Sequence, residues 1–189
     1  MFMNTNPQLY KLPSISFQHH PSKKPALIVP LSDPEVVPNL TTQITTICRS
    51  EPNYSVLFKD LPFIASREGS DPKYVREDAE FWVGSFVEAW RNQDQNVVFL
   101  MVVEETIVGA IEVRQKGEVE AEFGYWSNPE QKGYMTNALK VFVDSLKEIG
   151  FQNIYAFTKL ANTQSRLLLE RLGGIKDNLE KKNFQKYIL

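Results

Sequence analysis

The chain lacks most features of secreted, membrane-spanning or zinc-clustered proteins. Cys48 is its only cysteine, which excludes an internal disulfide and a cysteine-based zinc site and fits a reducing compartment. The longest apolar run, Val97 to Val103, is far shorter than the roughly 20 residues of a membrane-spanning helix. The N-terminus also lacks the charged-then-apolar pattern of an export signal. We therefore expect a cytoplasmic protein with no membrane partner.

The sequence also lacks an excess of charge of either sign. Lys plus Arg number 21 and Asp plus Glu number 23, for a net charge of -2, so no direct binding of nucleic acid is expected. Any anion must be bound by a local site. His19 and His20 are the only histidines, and adjacent side chains of an extended segment point in opposite directions. No metal site is expected.

The composition supports one folded domain with a substantial core. The chain has 189 residues, of which 42% are hydrophobic and 12% aromatic. Residues 1–26 contain four prolines and no periodic pattern, which predicts an extended N-terminal arm. Residues 27–189 are predicted to form the single domain.

The hydrophobic periodicity predicts an α+β fold. A strand LIVPL precedes a helix with Ser32, Asp33 and Pro34 as its cap and first turn. A second helix carries an apolar stripe that is more typical of a core than of a ligand surface: Val75, Ala79, Trp82, Val83, Phe86 and Trp90. Three strands then form an antiparallel meander: Val97 to Val103, Thr106 to Arg114 and Glu118 to Trp126.

The C-terminal third alternates helices and strands. A helix with Met135, Leu139 and Phe142 on one face ends at Gly150. The strand NIYAFTKL, the short helix SRLLLERL closed by Gly173-Gly174, and a tail with the strand FQKYIL follow. This order predicts a mixed sheet.

The stretch EQKGYMT, residues 130–136, joins the third meander strand to that helix. A helix start offers free backbone N–H groups and the positive end of a dipole, and Gly133 lets an anion lie against the backbone. The stretch is therefore a candidate pyrophosphate cradle. An ordinary strand-to-helix turn is the alternative, since neither common nucleotide-binding loop occurs in the chain.

The segment EFGYWSNPEQKGYMTNAL, followed later by ANTQSRLLLERLGG, resembles the GNAT N-acetyltransferase superfamily, and most closely its RimJ/RimL-type branch. The resemblance runs from Leu27 to the C-terminus and is strongest between Glu122 and Gly174. It implies a mixed, mainly antiparallel sheet flanked by helices and splayed at the cofactor site. It also implies acetyl-CoA as co-substrate and direct attack of an amine on the thioester.

The resemblance also implies roles for individual residues. The family's pyrophosphate loop falls on residues 130–135, and the implied cofactor-binding residues are Gln131, Lys132, Gly133, Tyr134, Met135, Thr136 and Asn162. Ser165 inherits the role of donor to the leaving thiolate, and Glu122 is the candidate base. The alternates for Glu122 are Glu112, Glu118 and Glu120, and all four could instead be solvent-facing charges. Asn162 as a turn residue and Ser165 as a helix N-cap are the alternatives for those two positions.

Four positions depart from the family pattern. Glu130 replaces the usual Gln or Arg, Gln131 replaces a common second Gly, and Gly174 replaces the usual Phe. Leu169 stands where many members have the Tyr that protonates the thiolate. Glu130 must face solvent if acetyl-CoA binds, because a carboxylate repels pyrophosphate. Contact with the pyrophosphate then depends on the backbone N–H groups of residues 132–135.

The acceptor implied by the resemblance is a primary amine, with three alternatives open. It is the α-amino group of a protein or peptide, such as a ribosomal protein N-terminus, or a small amine such as an antibiotic or polyamine. The altered positions Glu130 and Gly174 also allow a weak acyl-CoA-binding or regulatory protein. The resemblance implies that residues 51–72 form much of the acceptor wall, and Tyr54, Phe58 and Phe63 could line it or could equally belong to the core. The oligomeric state is open and includes a homodimer.

Overall fold

The computed structural model describes residues 9–18, 24–67, 73–181 and 183–189. Eight strands form one sheet: β1 Ile15–Gln18, β2 Pro25–Pro30, β3 Asn96–Val103, β4 Thr106–Gln115, β5 Glu120–Ser127, β6 Asn153–Lys159, β7 Ile175–Lys181 and β8 Phe184–Ile188. Within the described residues, five helices flank it: α1 Leu40–Arg49, α2 Pro62–Ala65, α3 Arg76–Asn92, α4 Tyr134–Glu148 and α5 Thr163–Arg171. A 3-10 turn spans Leu9–Lys11 and a π-helical turn spans Tyr54–Phe58.

The strand order is β1-β2-β3-β4-β5-β6-β8-β7. Neighbouring strands are antiparallel except for β5 and β6, which are parallel because α4 provides the crossover between them. The predicted α+β fold with a mixed, mainly antiparallel sheet is confirmed. Within the described residues, no helix combines the length and apolar character needed to cross a membrane.

The sheet splays at its centre, between β5 and β6. In the described chain these strands pair only through Glu120 with Asn153, Ala121 with Ile154, and Glu122 with Tyr155. Both strands continue beyond these pairs, β5 to Ser127 and β6 to Lys159. A gap therefore opens beyond Glu122, as the family resemblance predicts.

Each face of the sheet has its own hydrophobic core. Helix α4 contributes Leu139 and Phe142 to the core on one face. Helix α1 contributes Ile44, and α3 contributes Val83, to the core on the other face. Because both faces are covered, β3 is buried along nearly its whole length, which explains its continuous apolar run.

The first predicted helix begins later than the sequence suggests. The prediction that Ser32, Asp33 and Pro34 form its cap and first turn is wrong, because α1 begins at Leu40. The Asp33 carboxylate instead accepts a hydrogen bond from the Glu35 N–H at 2.8 Å, which stabilises a turn. Pro38 also disfavours helical conformation at the preceding residue, and this postpones the helix start.

The described part of the predicted N-terminal arm packs against the domain. Strand β1 pairs antiparallel with β2 along its length, and Leu9, Leu12 and Phe17 are buried in the core beneath α4. Residues 9–18 thus supply an edge strand and core side chains, which the lack of periodicity did not suggest. His19 and His20 lie outside the described residues.

The apolar stripe predicted for the second helix divides between two environments. Ala79 and Val83 are buried in the core, and Trp90 donates its indole N–H to the Val98 carbonyl at 3.0 Å. Trp82 and Phe86 are only partly buried and line a cavity. Trp82 and Phe86 nevertheless pack against the same core as Ala79 and Val83, so the core interpretation of the stripe holds.

Candidate active site

Asn128 fixes the loop that leads from β5 into α4. Its side-chain amide donates to the Ile107 carbonyl at 3.1 Å, and its side-chain oxygen accepts from the Glu130 N–H at 3.0 Å. Its own backbone N–H donates to Val108, and its carbonyl accepts from Gln131. These bonds anchor the loop to β4 and set the direction in which α4 begins.

Gly133 is the N-cap of α4 and has φ 96° and ψ -20°. A residue with a side chain rarely adopts this left-handed conformation, so glycine is required at the position for conformational reasons. Glycine also provides no side-chain cap. The N-cap side chain therefore provides no acceptor for the first N–H groups of the helix.

A cavity of about 550 Å³ opens at this helix start. Most of the predicted cofactor-binding residues line it together: Gln131, Lys132, Gly133, Met135 and Thr136. The Tyr134 side chain is instead buried in the core below α4, so only its backbone can contribute there. Arg171, at the end of α5, also lines the cavity, and nothing in the sequence pattern indicated it.

Glu130 lies outside this cavity. Its side chain is exposed and lines a separate depression beside α1, with Thr46 and Ser50. The solvent-facing orientation expected from electrostatics is therefore confirmed.

A second cavity of about 340 Å³ continues from the first into the gap between β5 and β6. Predicted residues Asn162 and Ser165 line it, together with Tyr125. The two cavities form one groove, because they share six lining residues: Pro52, Asn53, Ser127, Met135, Gln164 and Leu168.

Asn53 holds the wall of this groove in place. Its side-chain amide is buried and donates to the Ile47 carbonyl at 3.2 Å and to the Ser127 carbonyl at 2.8 Å. These bonds join the end of α1 to the end of β5. Nothing in the sequence indicates this role, since an isolated Asn in a loop carries no distinctive signal.

Asn162 is the N-cap of α5, and its side-chain oxygen accepts a hydrogen bond from the Ser165 N–H at 3.1 Å. The alternative that Ser165 is the N-cap is therefore wrong, because Ser165 is the third residue of the helix. Asn162 both caps the helix and lines the groove. The Ser165 hydroxyl remains available and lies 2.7 Å from the Tyr125 hydroxyl.

Tyr125 is a site residue that the sequence did not single out. It lies on β5 beyond the last pair with β6, at the point where the gap opens. Burial raises its pKa to about 12, against the lowering effect of the hydrogen bond with Ser165. Tyr125 therefore stays protonated and able to donate at neutral pH. In the sequence it looks like one more aromatic strand residue.

Two departures from the family pattern are accommodated by neighbouring residues. Leu169 is fully buried in the core, and the Tyr125 hydroxyl reaches the groove from β5 instead. A Cβ atom at Gly174 would lie 2.8 Å from the Leu169 carbonyl oxygen and 3.5 Å from the Tyr187 Cβ. The buried Tyr187 therefore packs close to Gly174.

The four candidate carboxylates occupy different environments. Glu122 accepts a hydrogen bond from Arg114 at 2.7 Å, and Glu112 pairs with the same guanidinium at 2.9 Å. Burial acts to lower the pKa of Arg114, but these two carboxylates outweigh it and raise that pKa. Glu120 lies beside Tyr155, whose pKa is raised by burial and by this carboxylate. Glu118 is exposed in the turn before β5, which begins two residues later than predicted.

A third cavity, of about 540 Å³, lies on the sheet face that carries Glu112 and Arg114. It shares Leu57, Tyr125 and Trp126 with the groove, so the two meet at the splay. Phe58 and Phe63 of the predicted acceptor wall line this cavity. Tyr54 packs against the core instead, and residues 68–72 of the wall lie outside the described residues.

A search of protein-family models matches residues 58–175, more than half of the chain, to the acetyltransferase (GNAT) domain. No curated protein matches the chain.

Three solved structures illustrate the structural similarity. RimJ of Mycobacterium smegmatis in complex with CoA-disulfide is 18% identical with a TM-score of 0.68, over 93% of this chain and 86% of that one. RimL, a ribosomal L7/L12 α-N-protein acetyltransferase in complex with coenzyme A, is 13% identical with a TM-score of 0.66, over 87% and 93%. PseH of Campylobacter jejuni, an N-acetyltransferase in complex with acetyl coenzyme A, is 14% identical with a TM-score of 0.57, over 87% and 97%.

The coenzyme A or acetyl coenzyme A bound in these three structures agrees with the predicted co-substrate. The fold of the chain is the one found in RimJ and RimL. The family match covers β5 and β6, where the sheet splays, and both helices of the groove. The chain therefore belongs to the GNAT acetyltransferase family.

Proposed function

We propose that the protein is an N-acetyltransferase that moves the acetyl group of acetyl-CoA to a primary amine, the α-amino group of a protein or peptide. One observation carries the proposal. A continuous groove runs from the N-terminus of α4 through the gap in the sheet to the Tyr125–Ser165 hydroxyl pair. The groove meets a separate cavity at Leu57, Tyr125 and Trp126.

The N-terminus of α4 fits the pyrophosphate of acetyl-CoA. The backbone N–H groups of residues 132–135 provide charge-assisted donors, and Lys132 and Arg171 bring positive charge to the cavity. At 4 Å, two like unit charges repel by about 1 kcal/mol in water and by about 4 kcal/mol at an effective dielectric constant of 20. The exposed position of Glu130, outside this cavity, removes most of that repulsion.

The gap between β5 and β6 fits the pantetheine arm and the thioester. Backbone groups of β5 beyond Glu122 face a region without strand pairing to β6, so they can bond the arm and the developing oxyanion. Asn162 uses its side-chain oxygen to cap α5, which leaves its NH₂ group as the donor to the arm.

The amine must lose a proton during the reaction, and we assign that proton to Glu122, directly or through water. Glu122 lies on the same sheet face as the third cavity. On β5 it is directly opposite Arg114 of β4, and Arg114 lines that cavity. Arg114 pairs with both Glu112 and Glu122, and the Lys116 Nζ lies 3.9 Å from the Glu122 Oε2. These contacts hold the Glu122 carboxylate in a fixed position on this face.

The hydroxyl pair stabilises the leaving thiolate by hydrogen bonding rather than by full proton transfer. A thiol such as that of coenzyme A has a pKa near 8.5, whereas that of Tyr125 is about 12. Transfer of the Tyr125 proton would therefore cost about 5 kcal/mol. The Tyr125 hydroxyl can donate a hydrogen bond to the Ser165 Oγ. The hydroxyl proton of Ser165 can then point at the sulfur of the leaving thiolate.

The acceptor is an α-amine because the site has limited basic power. An α-amino group with a pKa of about 7.7 to 8.0 is partly neutral at pH 7.5, while a lysine near 10.4 needs roughly 4 kcal/mol for deprotonation. The name of RimL as an α-N-protein acetyltransferase supports the same substrate class. A ribosomal or other protein N-terminus is therefore the proposed partner.

The test is a thiol-release assay with acetyl-CoA against N-terminal peptides, the same peptides with a blocked α-amine and a free lysine, a polyamine and an aminoglycoside. We expect release with free α-amines and little with lysine alone. Preference for the polyamine or the aminoglycoside would replace the α-amine with a small-amine acceptor. Tight acetyl-CoA binding without turnover on any amine would support the regulatory alternative.

A further inference from the structure

The third cavity, which we call the aromatic cavity, is lined by six phenylalanine and tryptophan side chains from three separate parts of the chain. They are Phe58, Phe63, Phe81, Trp82, Phe86 and Trp126. Trp82 packs edge-on against Phe86 and lies 6.2 Å from Trp126, measured between ring centroids. The walls are thus large, apolar and mutually supported.

Two of these side chains are far more exposed than packing requires. Phe81 is 77% exposed and Phe63 is 50% exposed, although both belong to residue types that are usually buried. They come from different elements, α3 and α2, and both border the aromatic cavity. Exposed aromatic groups on the rim of one cavity indicate a binding surface rather than two unrelated surface residues.

The charged groups of the aromatic cavity already have partners. Asp78 accepts hydrogen bonds from Arg67 at 2.9 Å and from the Val75 N–H at 2.7 Å. Glu112 is paired with Arg114. A polycation that enters the cavity would lose its hydration, and both carboxylates named above are already paired with an arginine. An apolar group would instead bury apolar surface against the aromatic walls.

The aromatic cavity also has a defined relation to the reaction centre. Leu57, Tyr125 and Trp126 line both it and the groove, and Tyr125 carries the hydroxyl that meets Ser165. An amine that reaches the thioester from this side leaves the rest of its molecule inside the aromatic cavity. The group next to the amine is therefore the part that the cavity selects.

We infer that the aromatic cavity binds a large apolar or aromatic side chain at the first or second residue of the acceptor peptide. This inference rests on the proposed function, because it names the acceptors that the same site prefers. Small polar N-termini and polycationic amines are then poor substrates.

The test uses the full chain and a set of peptides with one common sequence. Phe, Leu or Ser is placed at position 1 in one series and at position 2 in another, with spermidine as the polycation. We expect kcat/KM in the thiol-release assay to be about 10²-fold higher for Phe or Leu than for Ser in at least one series. Spermidine should be poorer than the Ser peptide.

A variant test locates the preference in the aromatic cavity. Phe81→Ser should lower kcat/KM for the Phe peptide by about 10-fold and change that for the Ser peptide little, since Phe81 is exposed and its loss does not open the core. Ile175→Ser is the matched control, because Ile175 is 72% exposed on β7. It should leave both values unchanged.

The outcomes separate this inference from the proposed function. Equal kcat/KM for all peptides, or a preference for Ser or spermidine, would overturn the inference while leaving the acetyltransferase intact. An unchanged preference in Phe81→Ser would also overturn it. Absence of acetyl-CoA binding in calorimetry, together with no thiol release on any amine, would overturn the proposed function itself.

Discussion

The groove and the aromatic cavity meet at Tyr125 but are built differently. The groove is framed by the starts of α4 and α5 and is lined there by polar side chains such as Thr136, Asn162 and Ser165. The aromatic cavity is framed by side chains, mostly phenylalanine and tryptophan. Binding in the groove should therefore depend on backbone conformation, whereas binding in the aromatic cavity should depend on side-chain identity.

The largest expected effect is on the groove and comes from Gly133→Val. A β-branched residue is strained at φ 96°, and its side chain would occupy the space proposed for the pyrophosphate. We expect acetyl-CoA affinity to fall by about 10²-fold or more, because two or more charge-assisted hydrogen bonds are lost.

Calorimetry on the purified variants measures this change. Gly84→Val is the matched control, since a Cβ at Gly84 meets nothing within 4 Å and the residue lies on α3, away from the groove. Unchanged affinity in a folded Gly133→Val protein would contradict the pyrophosphate site.

Glu122→Gln tests the proposed role of Glu122 as the base that accepts the proton of the amine. We expect turnover to fall by about 10²-fold with acetyl-CoA affinity nearly intact. The defect should shrink as pH rises, because more of the amine is then already neutral. A pH series of kcat with one peptide measures both effects.

Glu112→Gln is the matched variant, because Glu112 pairs with the same Arg114 guanidinium. It should have the smaller effect on turnover. A larger loss in Glu112→Gln would transfer the role of base to Glu112, and a loss confined to the acceptor KM would make Glu122 a binding residue.

Substitutions in the Tyr125–Ser165 hydroxyl pair should have a moderate effect on turnover. We expect Ser165→Ala to lower turnover by about 10- to 10²-fold and Tyr125→Phe by about 10-fold, because each removes a donor to the thiolate or its support. The double variant should be little worse than Ser165→Ala, since the two hydroxyls act in series. Full activity in both single variants would leave solvent as the proton source.

Stability measurements separate this role from helix capping. Asn162→Ala should lower the free energy of unfolding by about 1 kcal/mol, because Asn162 caps α5. Ser165→Ala should not show this loss. Denaturant unfolding of the two variants makes the comparison.

Gly109→Ala should have the smallest effect on turnover but a clear effect on the free energy of unfolding. A Cβ there would lie 2.5 Å from the Trp126 carbonyl oxygen and 3.1 Å from the Met135 side chain, so it would press on both cavities. We expect a loss of about 1–3 kcal/mol in the free energy of unfolding. Gly84→Ala should be stabilising by up to about 1 kcal/mol. Equal thermal unfolding of the two variants would contradict the close packing.

Sequence periodicity predicted the elements that frame the groove, and the family resemblance pointed to Asn162 and Ser165. The meander, α4 and α5 follow from local patterns, and Gly133 was singled out by its place at the start of α4. Local signals suffice there because a helix start forms from consecutive residues.

The aromatic cavity and the partners of the site residues could not be predicted in the same way. Trp82 and Val83 are adjacent on α3, and only the packing of distant segments decides that Val83 is buried while Trp82 lines the cavity. The Tyr125–Ser165 bond and the Arg114–Glu122 pair depend on strand register and on the placement of α5. Residues 9–18 show no period, yet β1 forms because β2 provides an edge.

The most direct test of the central claim is to locate the acetyl group on a peptide that carries both a free α-amine and a lysine. The peptide is incubated with the protein and acetyl-CoA, and tandem mass spectrometry identifies the modified nitrogen. The proposed function predicts acetylation of the α-nitrogen, lost in Gly133→Val and retained in Gly84→Val. Acetylation of the lysine alone, or no transfer by a protein that binds acetyl-CoA, would contradict it.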